Sequence, residues 1–294
     1  MSDDSIRVWI VTDGKAGDAQ QCRGVAERLG RLRRAVVDEL VIADAAARED
    51  RPDLAVTSGR RTLPLAKRLS KAGVFVAYLK RPRFPFARMM PRGEGDVGSG
   101  RLGFVWHPTH DGAGTNAFTT DLAPHPFTPE RLAKARTEAE RLTTIVLGGD
   151  SRSARWTEGA ARSAGAEVAK LPPPFRLVTS RRTSPLLLDA MPDADREDDY
   201  ARALADASRI VVTGDSHNMV SEVLAAGVPV HLARPPQLAR KFVRFLDSVE
   251  DLGLVIRLGQ AERPSSGPID ETPAIAARLN EMFTAWAQGE GRAS

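Results

Sequence analysis

The sequence predicts an α/β protein built from two doubly wound, Rossmann-like domains that face a cleft. Three observations lead there. Short apolar runs alternate with stretches of helical periodicity along most of the 294 residues, the pattern of parallel strands joined by crossover helices. Most of those runs end in a turn rich in Gly, Ser, Asp or Arg, as strands do where they feed a helix. About eleven strands are counted in this way, more than one open sheet usually holds, so two sheets are expected.

The first strand is expected at 6–12 (IRVWIVT), followed by a glycine-containing turn at 13–18 and a helix on which Cys22, Val25, Ala26 and Leu29 recur at helical spacing. Strands at 35–40, 54–57 and 74–79 follow, with a helix at 63–69. Periodicity is lost between Lys80 and Gly100 in a segment rich in Pro, Gly and Arg, which reads as a loop or flap. Further strands are expected at 104–106 and 116–120. A second cycle opens with a helix at 128–141 and continues with a strand at 143–147, a helix at 154–170 and a strand at 175–179. Helices at 197–207, 218–226, 237–248 and 273–287 then interleave with strands at 209–213, 228–232 and 254–256. The domain boundary falls near 125. Residues 1–125 are expected to form an acceptor-side domain and 126–294 a nucleotide-sugar-binding domain, with the last helix able to pack back on the first.

Composition narrows the function classes. An apolar share of 42% is that of a globular chain, and one cysteine allows neither a disulfide framework nor a cysteine-rich metal site. Cys22 lies on the apolar stripe of its helix and reads as packing. No apolar run approaches the roughly 20 residues that span a bilayer, and the opening MSDDSIRVWIVT enters a strand directly, so a cytoplasmic location is expected. Net charge is +4, with clusters at Arg31, Arg33 and Arg34 and at Lys80, Arg81, Arg83, Arg88 and Arg92. The second cluster interleaves with Phe84 and Phe86 in RPRFPFARMMPR at 81–92, a segment that can rest peripherally on the anionic inner face of a membrane with its rings dipping in. Nucleic acid is not expected as a partner, because no helix-turn-helix, finger or aromatic-plus-basic strand signature accompanies the charge.

In open parallel sheets the ligand site lies outside the carboxyl ends of the strands, where helix N-termini offer N–H groups and partial positive charge. The candidate residues are therefore those of such turns. In the first half they are Gly14 and Gly17, which let a backbone approach a ligand closely, Gly59 and Arg60 in SGRRT, and His110 with Asp111 in HPTHDG. A histidine beside a carboxylate is suited to take a proton from an acceptor hydroxyl, since imidazole titrates near neutral pH. His107, His110 and His125 show no spacing that supports a zinc site.

The second half offers three turns that should converge on one sheet edge. Gly148, Gly149 and Ser151 belong to an anion-accepting turn, and Ser180, Arg181 and Arg182 to another whose guanidinium groups suit a diphosphate. The third is GDSHNMVSE. There Asp215, Ser216, His217, Asn218 and Met219 enter a helix on which Asn218, Ser221 and Glu222 share one face. A helical side chain leans toward its own N-terminus, so Glu222 can aim its carboxylate at the helix mouth and accept both hydroxyls of a ribose.

With these segments in view the chain resembles the mitochondrial-fission ELM-type family, whose many bacterial members resemble glycosyltransferases of the two-domain GT-B fold. TSGRRT at 57–62, HD at 110–111, LGGDS at 147–151, TSRRT at 179–183 and VTGDSHNMVSEVLAAGVPVHL at 212–232 carry the match, in the family's order. The last segment is also similar to the donor-binding segment of the transferase that adds N-acetylglucosamine in lipid II synthesis. By that resemblance Glu222 holds the donor ribose, Ser216 to Met219 lie at the diphosphate, Arg181 stabilises the leaving diphosphate, and His110 or Asp111 is the base.

The function expected is transfer of a sugar from a nucleoside-diphosphate donor to an envelope or lipid-linked acceptor, with no cofactor and no metal. The alternative is a non-enzymatic, membrane-associated fission or adaptor protein that keeps the nucleotide-sugar cleft as a relic, as eukaryotic members act in organelle fission through a partner. A nucleotide-sugar epimerase of similar build needs further acidic and histidine residues in the cleft that the sequence does not supply.

Overall fold

A computed structural model of the protein describes residues 5–83, 85–91, 100–112, 116–137 and 142–290. The chain divides into two compact units, one formed by residues 1–126 with 271–294 and the other by 127–270.

The first unit runs β1 (Ile6–Thr12), α1 (Ala16–Leu32), β2 (Ala35–Val41), α2 (Ile42–Ala47), β3 (Leu54–Thr57), α3 (Leu63–Lys71), β4 (Phe75–Tyr78), β5 (Phe104–Pro108) and β6 (Phe118–Thr120). Its sheet has the order β2-β1-β3-β4-β5-β6 with every pair parallel. Side chains alternate across β1. Val8 and Ile10 enter one core with Cys22, Val25 and Leu29 of α1, while Trp9 and Val11 enter the other with Leu63 and Ala66 of α3. Both faces of the sheet are therefore buried at β1, as its near-continuous apolar run requires, whereas the edge strand β2 is largely exposed.

The second unit begins with α4 (Pro129–Ala135), β7 (Leu142–Leu147), β8 (Ala154–Arg155), α5 (Glu158–Val168), β9 (Phe175–Thr179), α6 (Pro185–Leu188) and β10 (Asp195–Arg196). It continues with α7 (Tyr200–Ala205), β11 (Ala207–Thr213), α8 (His217–Leu224), β12 (Val230–Ala233), β13 (Gln237–Leu238), α9 (Arg240–Asp251) and β14 (Ile256–Arg257). A second six-stranded parallel sheet has the order β10-β9-β7-β11-β12-β14. Ile145, Leu147, Leu177 and Val211 of its strands meet Ala161 and Val168 of α5 in one core.

The C-terminal helix α10 (Thr272–Ala285) belongs to the first unit. Ile275, Leu279 and Phe283 lie in the same core as α1, and Phe283 meets Phe75 edge-on at 5.5 Å between centroids. The Glu271 carboxylate accepts from the Leu122 amide at 2.6 Å and the Thr272 hydroxyl from the His125 amide at 3.0 Å, which ties the start of α10 to the end of the first run of chain.

Several local expectations change. The helix expected over 154–170 starts at Glu158, because Ala154 and Arg155 pair antiparallel with Gln237 and Leu238 and Thr157 caps the helix by accepting from the Ala160 amide. That pairing also moves the start of the 237–248 helix to Arg240. The helix expected over 128–141 is seen over Pro129–Ala135, and residues 138–141 lie outside the described residues. In the 81–92 segment, Phe84 and Arg92 lie outside the described residues. Phe86 corrects the expectation of a ring dipping into a membrane, because it packs with Met89 and Met90 on the protein's own core. Arg101 fastens this segment by donating to the Arg88 and Met90 carbonyls at 2.9 and 3.1 Å. Among the described residues no helix is long and apolar enough to cross a membrane.

Replacing Phe283 by Ala removes a ring from the core shared by Phe75 and Trp286. The expected loss is about 3–5 kcal/mol of unfolding free energy, read as a lower urea midpoint at unchanged slope.

Candidate functional site

β9, β7 and β11 are neighbours at the centre of the second sheet, so their carboxyl ends open on one edge. The three loops that leave them are bonded to one another. Thr213, the last residue of β11, accepts from the Gly148 amide at 2.7 Å, and Asp215 accepts from the Gly149 amide at 2.9 Å through Oδ2. From the β9 loop, the Thr183 hydroxyl donates to the Leu147 and Gly148 carbonyls at 2.9 and 2.7 Å, and Ser180 donates to Gly148 at 3.2 Å. Arg182 reaches Asp215 Oδ2 at 3.5 Å.

This interlock explains the glycine pair. A Cβ on Gly148 would stand 2.0 Å from Asp215 Oδ2, and one on Gly149 would stand 1.8 Å from the Arg182 carbonyl oxygen. Both positions are closed to any larger residue by the chain itself. It follows that the Gly148 and Gly149 amides, expected from sequence to receive a ligand anion, are already spent on Thr213 and Asp215. Ser151 is similarly engaged, its amide donating to the Ala154 carbonyl at 2.8 Å and its hydroxyl accepting from the Ser153 amide at 3.1 Å. The Ser180 amide donates to Thr183 Oγ1 at 2.8 Å and the Arg182 amide to Ser180 Oγ at 3.2 Å.

Asp215 is 2% exposed. Burial pushes its carboxyl above the usual carboxylate range, against the pull of the Thr213 hydroxyl, the Gly149 amide and the Arg182 guanidinium. It faces into the protein and joins loops, a different place from the ligand-facing one expected of it.

α8 starts where Ser216 caps it by accepting from the Met219 amide at 3.4 Å. His217 is buried edge-on against Phe245, with ring centroids 4.4 Å apart, while Asn218 and Met219 are half-exposed. Of the polar face expected from Asn218, Ser221 and Glu222, Asn218 is partly exposed and the other two are buried. Ser221 is fully buried and donates to the His217 carbonyl at 2.8 Å, and Glu222 is 6% exposed. Burial raises the Glu222 carboxyl to about 7, and the neighbouring Tyr200 hydroxyl on α7 works the other way. Arg181 is exposed and, among the described residues, engages no partner. Arg181 and Arg182 thus set two guanidinium groups on this sheet edge, beside the N-terminus of α8 and the exposed Asp150.

In the first unit the carboxyl edge of the sheet also gathers polar groups. Gly14 and Gly59 take φ of +82° and +96°, conformations that side chains rarely adopt. Gly17 lies in the first turn of α1. Gly59 passes close to two carboxylates, since a Cβ there would lie 3.0 Å from Asp18 Oδ2 and 3.4 Å from the Asp13 carboxyl. Lys80 pairs with Asp18, and Lys15 pairs with Asp13 at 2.7 Å. Burial opposes ionisation of Asp13, and Lys15 outweighs it, lowering the carboxyl overall. Arg60 is exposed in the short turn after Gly59. His110 and Asp111 are half-exposed in a turn after β5, where Arg83 approaches Asp111 at 3.8 Å and Arg81 donates to its carbonyl at 3.3 Å. His107 is fully buried, with Nδ1 3.1 Å from the Pro108 carbonyl. Cys22 is also fully buried, and burial raises its thiol far above the ordinary value, as a packing role requires.

Asp18, Thr183, Thr213 and Tyr200 are not among the candidate residues of the sequence, and Lys80 enters there only in a basic cluster. Lys80 and Thr213 carry a weak signal as polar residues at or next to strand ends. Tyr200 carries none, because its role depends on a helix 22 positions further on.

Two consequences are measurable. Gly149→Ala forces the 180–183 loop away and should cost about 1–3 kcal/mol or more, whereas Gly159→Ala, in open space on α5, should be neutral or slightly stabilising in the same thermal melts. The Glu222 proton is held more tightly in the folded state than in the unfolded one. Its stabilising effect is therefore full below about pH 4.5 and is lost as pH rises to about 7. Urea titrations of wild type and Glu222→Gln should diverge across that window, by on the order of 3 kcal/mol at most, and run parallel above it.

The chain is similar to solved structures that include several glycosyltransferases and a putative UDP-N-acetylglucosamine 2-epimerase. The spinosyn forosaminyltransferase SpnP matches with a TM-score of 0.51 at 13% identity, covering 96% of this chain and 93% of its own. The Escherichia coli ADP-heptose lipopolysaccharide heptosyltransferase II gives 0.48 at 13%, covering 95% and 99%. Arabidopsis thaliana UGT89C1 complexed with UDP gives 0.48 at 14%, covering 96% and 93%. At 13% identity the likeness to SpnP speaks for the fold alone. No curated protein matches the chain in sequence. The sequence model described as mitochondrial fission ELM1 matches residues 16–283, and with nearly the whole chain so matched, the protein belongs to the mitochondrial fission ELM1 family.

Proposed function

We propose that the protein binds a nucleoside-diphosphate sugar at the carboxyl edge of its second sheet and transfers the sugar to an envelope or lipid-linked acceptor. The observation that carries this reading is the interlock of the 148–151, 180–183 and 213–216 loops, which leaves Arg181 and Arg182 exposed on the same sheet edge as the N-terminus of α8. In this reading Arg181 is the cation for the diphosphate, compensating the charge that grows on it as the sugar–phosphate bond breaks. Ser216, His217, Asn218 and Met219, at the first turn of α8, face the phosphates, and Glu222 accepts the ribose hydroxyls once ionised. His110 with Asp111, at the edge of the first sheet, takes the proton of the acceptor hydroxyl. The basic segment at 81–92 is the proposed contact with an anionic membrane, through its arginines and not through Phe86.

A second reading has an observation in its favour. Because the amides of Gly148, Gly149, Ser180 and Arg182 are satisfied within the chain, the fold stands without a ligand, as it would in an adaptor that retains the site as a relic. Calorimetric titration with UDP, GDP and ADP separates the two. Saturable binding to one of them, weakened at least about tenfold by Arg181→Ala, is expected for the transferase, together with slow hydrolysis of the matching nucleotide sugar. Absence of binding to all three would leave the adaptor.

A further inference from the structure

The two six-stranded sheets end in four edge strands among the described residues, and three of these are short. β6 has three residues and β10 and β14 have two each, the usual protection of a sheet against pairing with a foreign strand. β2 is different. It runs for seven residues, each in register with β1 on one side, and no described strand pairs with its other side. The Arg34 carbonyl accepts from the Ile6 amide, which sets the alternation that follows. Val36, Asp38 and Leu40 turn their N–H and C=O groups to β1, whereas Ala35, Val37, Glu39 and Val41 turn theirs outward.

Apolar side chains line the same edge. Val36 is 59% exposed, Val37 42% and Val41 47%, and Leu32, at the end of α1, is 51% exposed. Only Leu252 joins them among the exposed large apolar residues of the described chain. A row of open backbone groups beside exposed valines is a template for another strand.

Charge selects which strand. Exposed Arg34 stands before the valines, and Asp38 and Glu39 follow them. Both acids are fixed in place, Asp38 by Arg48 at 3.1 Å and Glu39 by Arg23 at 2.7 and 2.6 Å. A second copy laid antiparallel about a two-fold axis at Val36 brings the basic end of one β2 against the acidic half of the other, with Arg34 opposite Asp38. In that register Ala35 lies opposite Val37, and both present the outward groups that a hydrogen-bonded pair exchanges. Val36 meets its own counterpart in a non-hydrogen-bonded pair, where Cα atoms approach to about 4.5 Å. Moving the axis to Val37 sets Val36 against Asp38, and moving it to Asp38 sets that carboxylate against itself.

We propose that the protein self-associates through β2, two copies joining their first sheets edge to edge in antiparallel pairing about Val36. The inference is independent of what the carboxyl edge of the second sheet binds.

Sedimentation of the full chain over a wide concentration range should show a monomer–dimer equilibrium. Val37→Pro deletes an outward N–H and leaves the ladder with β1 intact, and Val36→Lys sets two ammonium groups against each other at the axis. Each should weaken the dimer by about tenfold or more, with thermal melts close to wild type. Register is read by oxidation. The native Cys22 is buried, so an introduced cysteine supplies the exposed thiol. Val36→Cys should form a disulfide-linked dimer, because its pair spacing suits the bond, and Val41→Cys, away from the axis, should not. A monomer at every concentration would overturn the proposal and leave this edge to a strand of another protein. A dimer of wild-type strength in both Val37→Pro and Val36→Lys would overturn it by placing association on another face. Failure of Val36→Cys to link, or equal linking by Val41→Cys, would overturn the pairing about Val36.

Discussion

The carboxyl edge of the second sheet depends on one buried carboxylate. Asp215 takes the Gly149 amide of one loop and the Arg182 guanidinium of a second while belonging to a third, so three loops share one acceptor. Burying that charge is unfavourable, as the upward shift of its carboxyl shows, and the attraction of Arg182 offsets little of the cost because that side chain is 43% exposed and 3.5 Å away. The short bonds from backbone and hydroxyl groups carry more of the compensation. Removing one partner of such a knot leaves the other groups buried and unsatisfied, which is costlier than the bond itself.

This knot gives the GGDS segment a physical meaning unlike that of a phosphate loop. Glycines there remove two Cβ atoms that would strike Asp215 and the Arg182 carbonyl. The carboxylate of Asp215 stands in the place that the sequence pattern reserved for a ligand anion. What is left to meet a ligand at this edge is the exposed Arg181, the outer side of Arg182 and the first turn of α8, a smaller and more cationic set than the sequence implied.

The first sheet solves a similar problem with the same pairing of carboxylate and cation. Two carboxylates, Asp13 and Asp18, crowd against Gly59, and each is met by a lysine from its own turn or from the end of β4. Gly59 is needed both for its left-handed φ and for the close approach. In both sheets the carboxyl edge is thus organised by internal ion pairs and hydrogen bonds, which hold the loops in place.

Local pattern was enough to read the strands 6–12, 54–57, 143–147 and 175–179, the helices around Cys22 and Leu279, and the arrangement in two α/β sheets, because burial on both sheet faces writes itself as alternating runs and turns. The pairing of Ala154–Arg155 with Gln237–Leu238 lay beyond it, since a two-residue ladder between segments some eighty positions apart leaves no periodic trace. So did the inward turn of Asp215, Ser221 and Glu222, because a polar residue on a short helix reads as solvated unless the covering elements are known. By itself the sequence determined which turns end up at the strand tips, through spacing and glycine. Only the tertiary structure decided which of their polar groups bond to each other and which stay open, because hydrogen bonds across neighbouring strands depend on register and depth, and neither is encoded in local periodicity.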